Sequence, residues 1–170
     1  MFVLGIDPGL TRCGYGVVSR KRAGPAQFAV RVAGVFETKK DDAVEVRLGT
    51  LANDIEALLD EVAPDAVSIE RIFFQSNAHT AISVAQASGI VIGASAKRGI
   101  PVVQYSPNEV KQAVVGHGNA EKAQVGAMVA QLFGLDTPPS PPDVADAMAL
   151  AVCHLTSSRL HAAIASAGVS

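Results

Sequence analysis

The sequence predicts an α/β fold, a mixed five-stranded sheet with helices on both faces. Three observations lead there. Three extended segments rich in Val, Phe and Tyr come first, at residues 2–7, 13–19 and 27–36, separated only by the turn-prone stretches PGLTR and KRAGPA. Such closely spaced strands pair as an antiparallel meander, whereas the strands further on are separated by helical stretches and would pair in parallel. Nearly half of the 170 residues are apolar and 18% are charged, the balance of a chain that covers both sides of a sheet.

The elements follow in order. Residues 44–62 put Leu48, Leu51, Ile55, Leu58 and Leu59 on one side and Asp54, Glu56, Asp60 and Glu61 largely on the other, which is helical spacing. Pro64 ends that helix, and DAVSIE is a short strand finishing on Glu70. A helix of small residues over 78–96 stops near Gly99, and PVVQY is the fifth strand. SPNE at 106–109 is a capping box with Pro at the first helical position, so a helix starts there and breaks at GHGN. Residues 120–133 are helical, TPPSPP is a rigid linker, and 143 to about 160 form the last helix. This order of elements is that of the ribonuclease H-like fold. Length and pattern suit one domain over residues 1–160, with 161–170 a tail expected to be partly disordered.

Bulk properties exclude several classes. The apolar residues 2–6 lack a basic flank and a cleavage site, so they read as a strand and not a signal peptide. Ala81–Ala96 is too short for a membrane span and contains Ser83, Gln86, Ser88 and Ser95. Cys13 and Cys153 show no metal-like spacing and read as small core residues of a cytoplasmic protein. The net charge of −2 favours no partner, but it is unevenly spread. Residues 1–35 carry five Lys/Arg against one acid, and 71–125 five against two. Between them, residues 36–70 carry ten acids against three bases, half of those acids on the first helix. A basic face is therefore open to a protein that is not basic overall.

Four acids stand where a carboxylate is unwelcome or conspicuously placed. Asp7 ends the first strand and Glu70 the fourth; if those strands are parallel neighbours, both emerge at one edge of the sheet. Asp143 and Asp146, three apart at the start of the last helix, share a face. Each has an ordinary alternative: an Asx turn for Asp7, pairing with Arg71 for Glu70, helix capping for Asp143, solvation for Asp146. Together they form an oxygen-rich cluster that would repel itself without cations and suits Mg²⁺ or Mn²⁺. Two such ions can clamp the attacking and leaving oxygens of a phosphodiester.

Phe73 and Phe74 in RIFFQ cannot both face a core in extended chain, so at least one is expected at the surface as a platform for an unpaired base, the alternative being a bend that turns both into the core. Lys111 and Lys122 flank the GHGN break as candidate phosphate ligands. His117 lies in the same loop, with contact to phosphate, proton transfer or neither as its alternatives.

The blocks GIDPGLTRCGYGVV, IERIFF, VKQAVVGHGNAEKAQV and DVADAMALAVCH, in this order and spacing over residues 1 to about 154, resemble the RuvC family of Holliday junction resolvases. The resemblance implies a homodimeric, metal-dependent endonuclease that nicks two strands of like polarity at a four-way DNA junction. It further implies Asp7, Glu70, Asp143 and Asp146 as metal ligands, with two ions per active site, Phe73 as a base-stacking aromatic, Lys111 and Lys122 as backbone contacts, and a branch-migration motor of RuvA and RuvB as partner. DPGLT also resembles the phosphate loop of sugar kinases, but that reading requires a second lobe for which the chain has no room. Two other readings stay open: a ribosomal RNA-processing nuclease of the same fold, and a junction-binding module without chemistry. The small-residue helix is the expected dimer contact.

Overall fold

The computed structural model describes the backbone of residues 1–72 and 78–166, and all of these side chains except 78–80 and 158–166. Its strands are β1 (Phe2–Asp7), β2 (Arg12–Arg20), β3 (Phe28–Glu37), β4 (Ala66–Glu70) and β5 (Val102–Tyr105). Its helices are α1 (Val44–Val62), α2 (Ala78–Lys97), α3 (Pro107–Val115), α4 (Lys122–Phe133) and α5 (Pro142–Ser166). The strands lie in the order β3-β2-β1-β4-β5. β1 runs antiparallel to β2, and β2 to β3, whereas β4 is parallel to β1 and β5 to β4. The mixed sheet and its ribonuclease H-like order are as the element pattern predicts.

Local chemistry sets the helix limits. Ser106 and Glu109 form the anticipated reciprocal cap, with Pro107 at the first helical position, and Gly116 closes α3 in the left-handed region. α4 begins at Lys122, two residues later than expected, because Glu121 and Gln124 make a cap of their own. α5 continues to Ser166, beyond the expected end near 160.

Two cores sandwich the sheet. On one side Leu4, Ile6, Val17, Val67 and Ile69 meet Leu51, Ile55, Leu59 and Val91 of α1 and α2. On the other lie α3, α4 and α5, with Met148, Leu150, Val152, Val129 and Phe133. Cys13 and Cys153 are both buried, as expected of core thiols.

The second face is organised by α5, which crosses the strands diagonally. A Cβ on Gly14 of β2 would collide with the Asp143 carbonyl oxygen, and one on Gly5 of β1 with the Ala147 carbonyl oxygen. In β4, Ser68 Oγ donates to the Leu150 carbonyl at 2.8 Å. In β5, the Tyr105 hydroxyl meets His154 Nδ1 at 3.0 Å. Four strands thus touch α5 at four successive levels, and small residues on β2, β1 and β4 let its backbone approach the sheet. Burial holds the His154 imidazole below its usual pKa, which keeps it a neutral partner for the tyrosine.

Candidate metal centre

The period of two in a strand explains why the acids meet. Val3 and Gly5 of β1 face α5, so Asp7 does as well; Ser68 of β4 faces α5, so Glu70 follows. Ile6 pairs with Ile69 in the parallel register, which brings Asp7 and Glu70 to one edge, one residue further along. Asp7 pairs across β2 with Gly14, the glycine on which the Asp143 backbone rests. Asp146 follows one turn later on α5. All four acids are only partly exposed.

The electrostatics reflect this crowding. Burial, and then the charges of Asp146, Glu70 and Asp143, push the Asp7 carboxyl up to about 7, with Lys122 acting the other way. Glu70 is raised first by burial and then by Asp146. Cations answer from two elements. Lys122 Nζ lies 2.5 Å from Asp146 Oδ2, and this bond raises the lysine above its usual pKa. Arg12 Nε donates to Asp143 Oδ2 at 3.1 Å. Sequence reasoning did not single out Arg12; its one signal was a charge at the start of β2, and the partner lies 131 residues away.

Lys111 and Lys122 line one cleft of about 270 Å³ together with Glu70, Asp146, Pro107, Val110 and Val125. His117 is exposed in the α3–α4 loop and does not line this cleft. Phe73 and Phe74 lie outside the described residues.

As the side chains stand, no three His, Cys, Asp or Glu residues among those described form a ready cage for an ion, and two of the four acids are engaged with Arg12 and Lys122. The donor set nonetheless fits a hard dication. It is all oxygen, and an acid pushed up by burial and then by its neighbours' charges is one that positive charge relieves.

A ribonuclease H-like sheet with carboxylates from β1, β4 and α5 at one edge, beside a lysine-lined cleft, defines a nuclease-like class of protein. The RuvC family model, "Crossover junction endodeoxyribonuclease RuvC", matches residues 3–154. A protein of that name from Streptomyces avermitilis is 50% identical over 155 residues, covering 91% of this chain and 87% of the relative. The Thermus thermophilus RuvC structure matches with a TM-score of 0.87 and 36% identity, covering 95% of this chain and 97% of that one. T. thermophilus RuvC in complex with Holliday junction substrate matches with a TM-score of 0.87 and 37% identity, over 95% and 96% of the two chains. This chain belongs to the RuvC family.

Proposed function

We propose that this protein resolves Holliday junctions, making paired, metal-dependent nicks in two DNA strands of like polarity during recombination and repair. The observation that carries this is the convergence of four carboxylates, from three separate elements, on the sheet edge beside the cleft of Lys111 and Lys122 in a RuvC-family chain.

Asp7, at the centre of the cluster, would anchor both of two Mg²⁺ or Mn²⁺ ions, with Glu70, Asp143 and Asp146 completing their shells. Such ions, when bound, make water a nucleophile at neutral pH and offset charge on the phosphate. Lys111 and Lys122 hold the DNA backbone in the cleft; Lys111 has no ion-pair partner among the described residues, and Lys122 is tied to Asp146 alone. Water attacks phosphorus in line with the 3′ oxygen, leaving a 5′-phosphate and a 3′-hydroxyl. Phe73, with Phe74 beside it, stacks on unpaired bases.

Paired cuts call for a homodimer matched to the near two-fold junction. α2 supports that role: its inner face packs on α1, while Ile82 is 56% exposed and Gly89 and Gly93 face open space. RuvA and RuvB are proposed partners, and the cytoplasm, where chromosomal DNA lies, the place of action. Among the described residues no helix is long and apolar enough to cross a membrane.

The test uses the purified chain on a synthetic mobile four-way junction beside linear duplex, with Mg²⁺ and Mn²⁺ in turn. Wild type is expected to cut the junction and spare the duplex. Asp7→Asn is expected to shift the junction in a gel and cut it at least about a thousandfold more slowly, a loss of the size seen when a group essential to transition-state stabilisation is removed. Unchanged cutting by Asp7→Asn refutes the metal assignment, and equal cutting of duplex refutes junction selectivity.

A further inference from the structure

β2 meets the first turn of α5 with two positions of the same strand face. Gly14 receives the backbone of Asp143, as its missing Cβ allows. Arg12, two residues earlier and so on the same face, reaches the side chain of that same residue, Nε to Oδ2. Arg12 is itself braced. Its partner across the sheet is Glu37, whose Oε1 lies 3.6 Å from Arg12 Nη1.

The turn that delivers Arg12 is locked from the far side. Arg47 Nη2 donates to Thr11 Oγ1 at 2.8 Å, and Arg47 Nε to Thr38 Oγ1 at 3.0 Å. The Thr38 amide donates to the Thr11 carbonyl, and its hydroxyl to the Leu10 carbonyl. A solvent-facing arginine ordinarily samples many rotamers; this one is held at its backbone, at Nε and at Nη1.

The bond to Asp143 differs in kind from the one to Asp146. Lys122 offers a compact charge on a flexible stem, with its side chain 70% exposed. Arg12 offers a planar group whose Nε–H has one direction, so it selects one orientation of the carboxylate. With Oδ2 engaged, Oδ1 is the oxygen left to a cation. Ligating carboxylates are commonly oriented by such outer partners. We propose that Arg12 is a positioning residue for Asp143, setting the carboxylate orientation in which a divalent ion is bound. The proposal rests on the resolvase reading, which assigns Asp143 to the metal.

The experiment compares full-length wild type, Arg12→Ala, Arg12→Lys and Glu37→Gln. Mn²⁺ binding is measured without DNA by electron paramagnetic resonance of the free ion, and junction binding is measured without divalent metal across a salt series. Loss of an orienting partner lowers metal affinity roughly ten- to hundredfold. Arg12→Ala should therefore bind Mn²⁺ at least about tenfold more weakly and need correspondingly more Mn²⁺ for half-maximal single-turnover cleavage. Its junction affinity and salt slope should stay at wild-type values. Arg12→Lys, which keeps the charge without the Nε geometry, should restore only part of the loss. Glu37→Gln should weaken Mn²⁺ binding by a smaller factor.

Unchanged or tighter Mn²⁺ binding by Arg12→Ala overturns the proposal. So does a salt slope lower by about one with Mn²⁺ affinity intact, since that is the mark of a phosphate contact. Should Arg12→Ala fail to fold, Arg12→Lys and Glu37→Gln decide, and wild-type Mn²⁺ affinity in both overturns it. A wild type that binds Mn²⁺ but cuts no junction defeats the resolvase reading, while the role of Arg12 is still read from the ion alone.

Discussion

The two faces of the sheet follow opposite rules. Toward α1 and α2, the central strands present Leu4, Ile6, Val17, Val67 and Ile69, all fully buried against large aliphatic side chains. Toward α5, the same strands present Gly5, Gly14, Gly16 and Ser68. The first face stabilises by removing apolar area from water, at about 25 cal/mol per Å². The second forgoes much of that area so that a helix backbone can lie on the strands, which is how Asp143 and Asp146 come within reach of Asp7 and Glu70. Both sides carry a buried core, but the close approach that places the carboxylates belongs to one of them, and substitutions can separate stability from placement.

The largest effect is expected at Gly5. A methyl group there collides with Ala147 backbone, which cannot swing aside as a side chain tip would. Gly5→Ala should lower stability by about 3 kcal/mol. It should also cut the turnover of the remaining folded protein by about a hundredfold, because displacement of this order at a reacting site has that consequence. Denaturant unfolding and single-turnover cleavage measure the two. Ile55→Ala, on the other face, should lower stability by roughly 2–4 kcal/mol and leave cleavage per folded molecule unchanged. If it impairs chemistry as Gly5→Ala does, the division between the faces is wrong.

The next effect separates placement from stability at a single residue. The Asp7 carboxyl is raised in the folded state, so its contribution to stability is fully present below the unfolded pKa near 4 and is lost as pH rises through about 7. Without divalent metal, Asp7→Asn should therefore be more stable than wild type at pH 8, by about 2–4 kcal/mol, and the advantage should vanish near pH 4. Thermal melts in a chelator check this, and equal melting at pH 8 removes the electrostatic account. The smallest effect lies at the cleft rim, where Lys111→Ala should lower the salt slope of junction binding by about one, leaving stability unmoved.

Much of this was legible in the sequence because the signals were local. The apolar period of α1, the cap at Ser106, and the acids ending β1 and β4 all declare themselves within a few residues. The pairing of those acids followed from one crossover. Arg12 was not legible, because a charge at a strand start looks like any solvated residue until the fold brings Asp143 to it. The start of α4 was misplaced by two residues because its N-cap position holds a glutamate, whose amide donates to Gln124 Oε1, where smaller side chains usually stand. The buried His154 gave no sign of its tyrosine partner, which lies on β5, 49 residues earlier.

The diagonal course of α5 has a mechanical meaning. Gly14, Gly5, Ser68 and Tyr105 engage the helix at four levels, and so fix its rotation about its own axis as well as its height. One residue inserted between Asp146 and Ala147 would turn the first turn by about 100° and shift it about 1.5 Å relative to the rest. Both carboxylates would then leave the sheet edge while the far half of the helix stayed in register. The helix is indexed like a keyed shaft, and the strands cut the keyway.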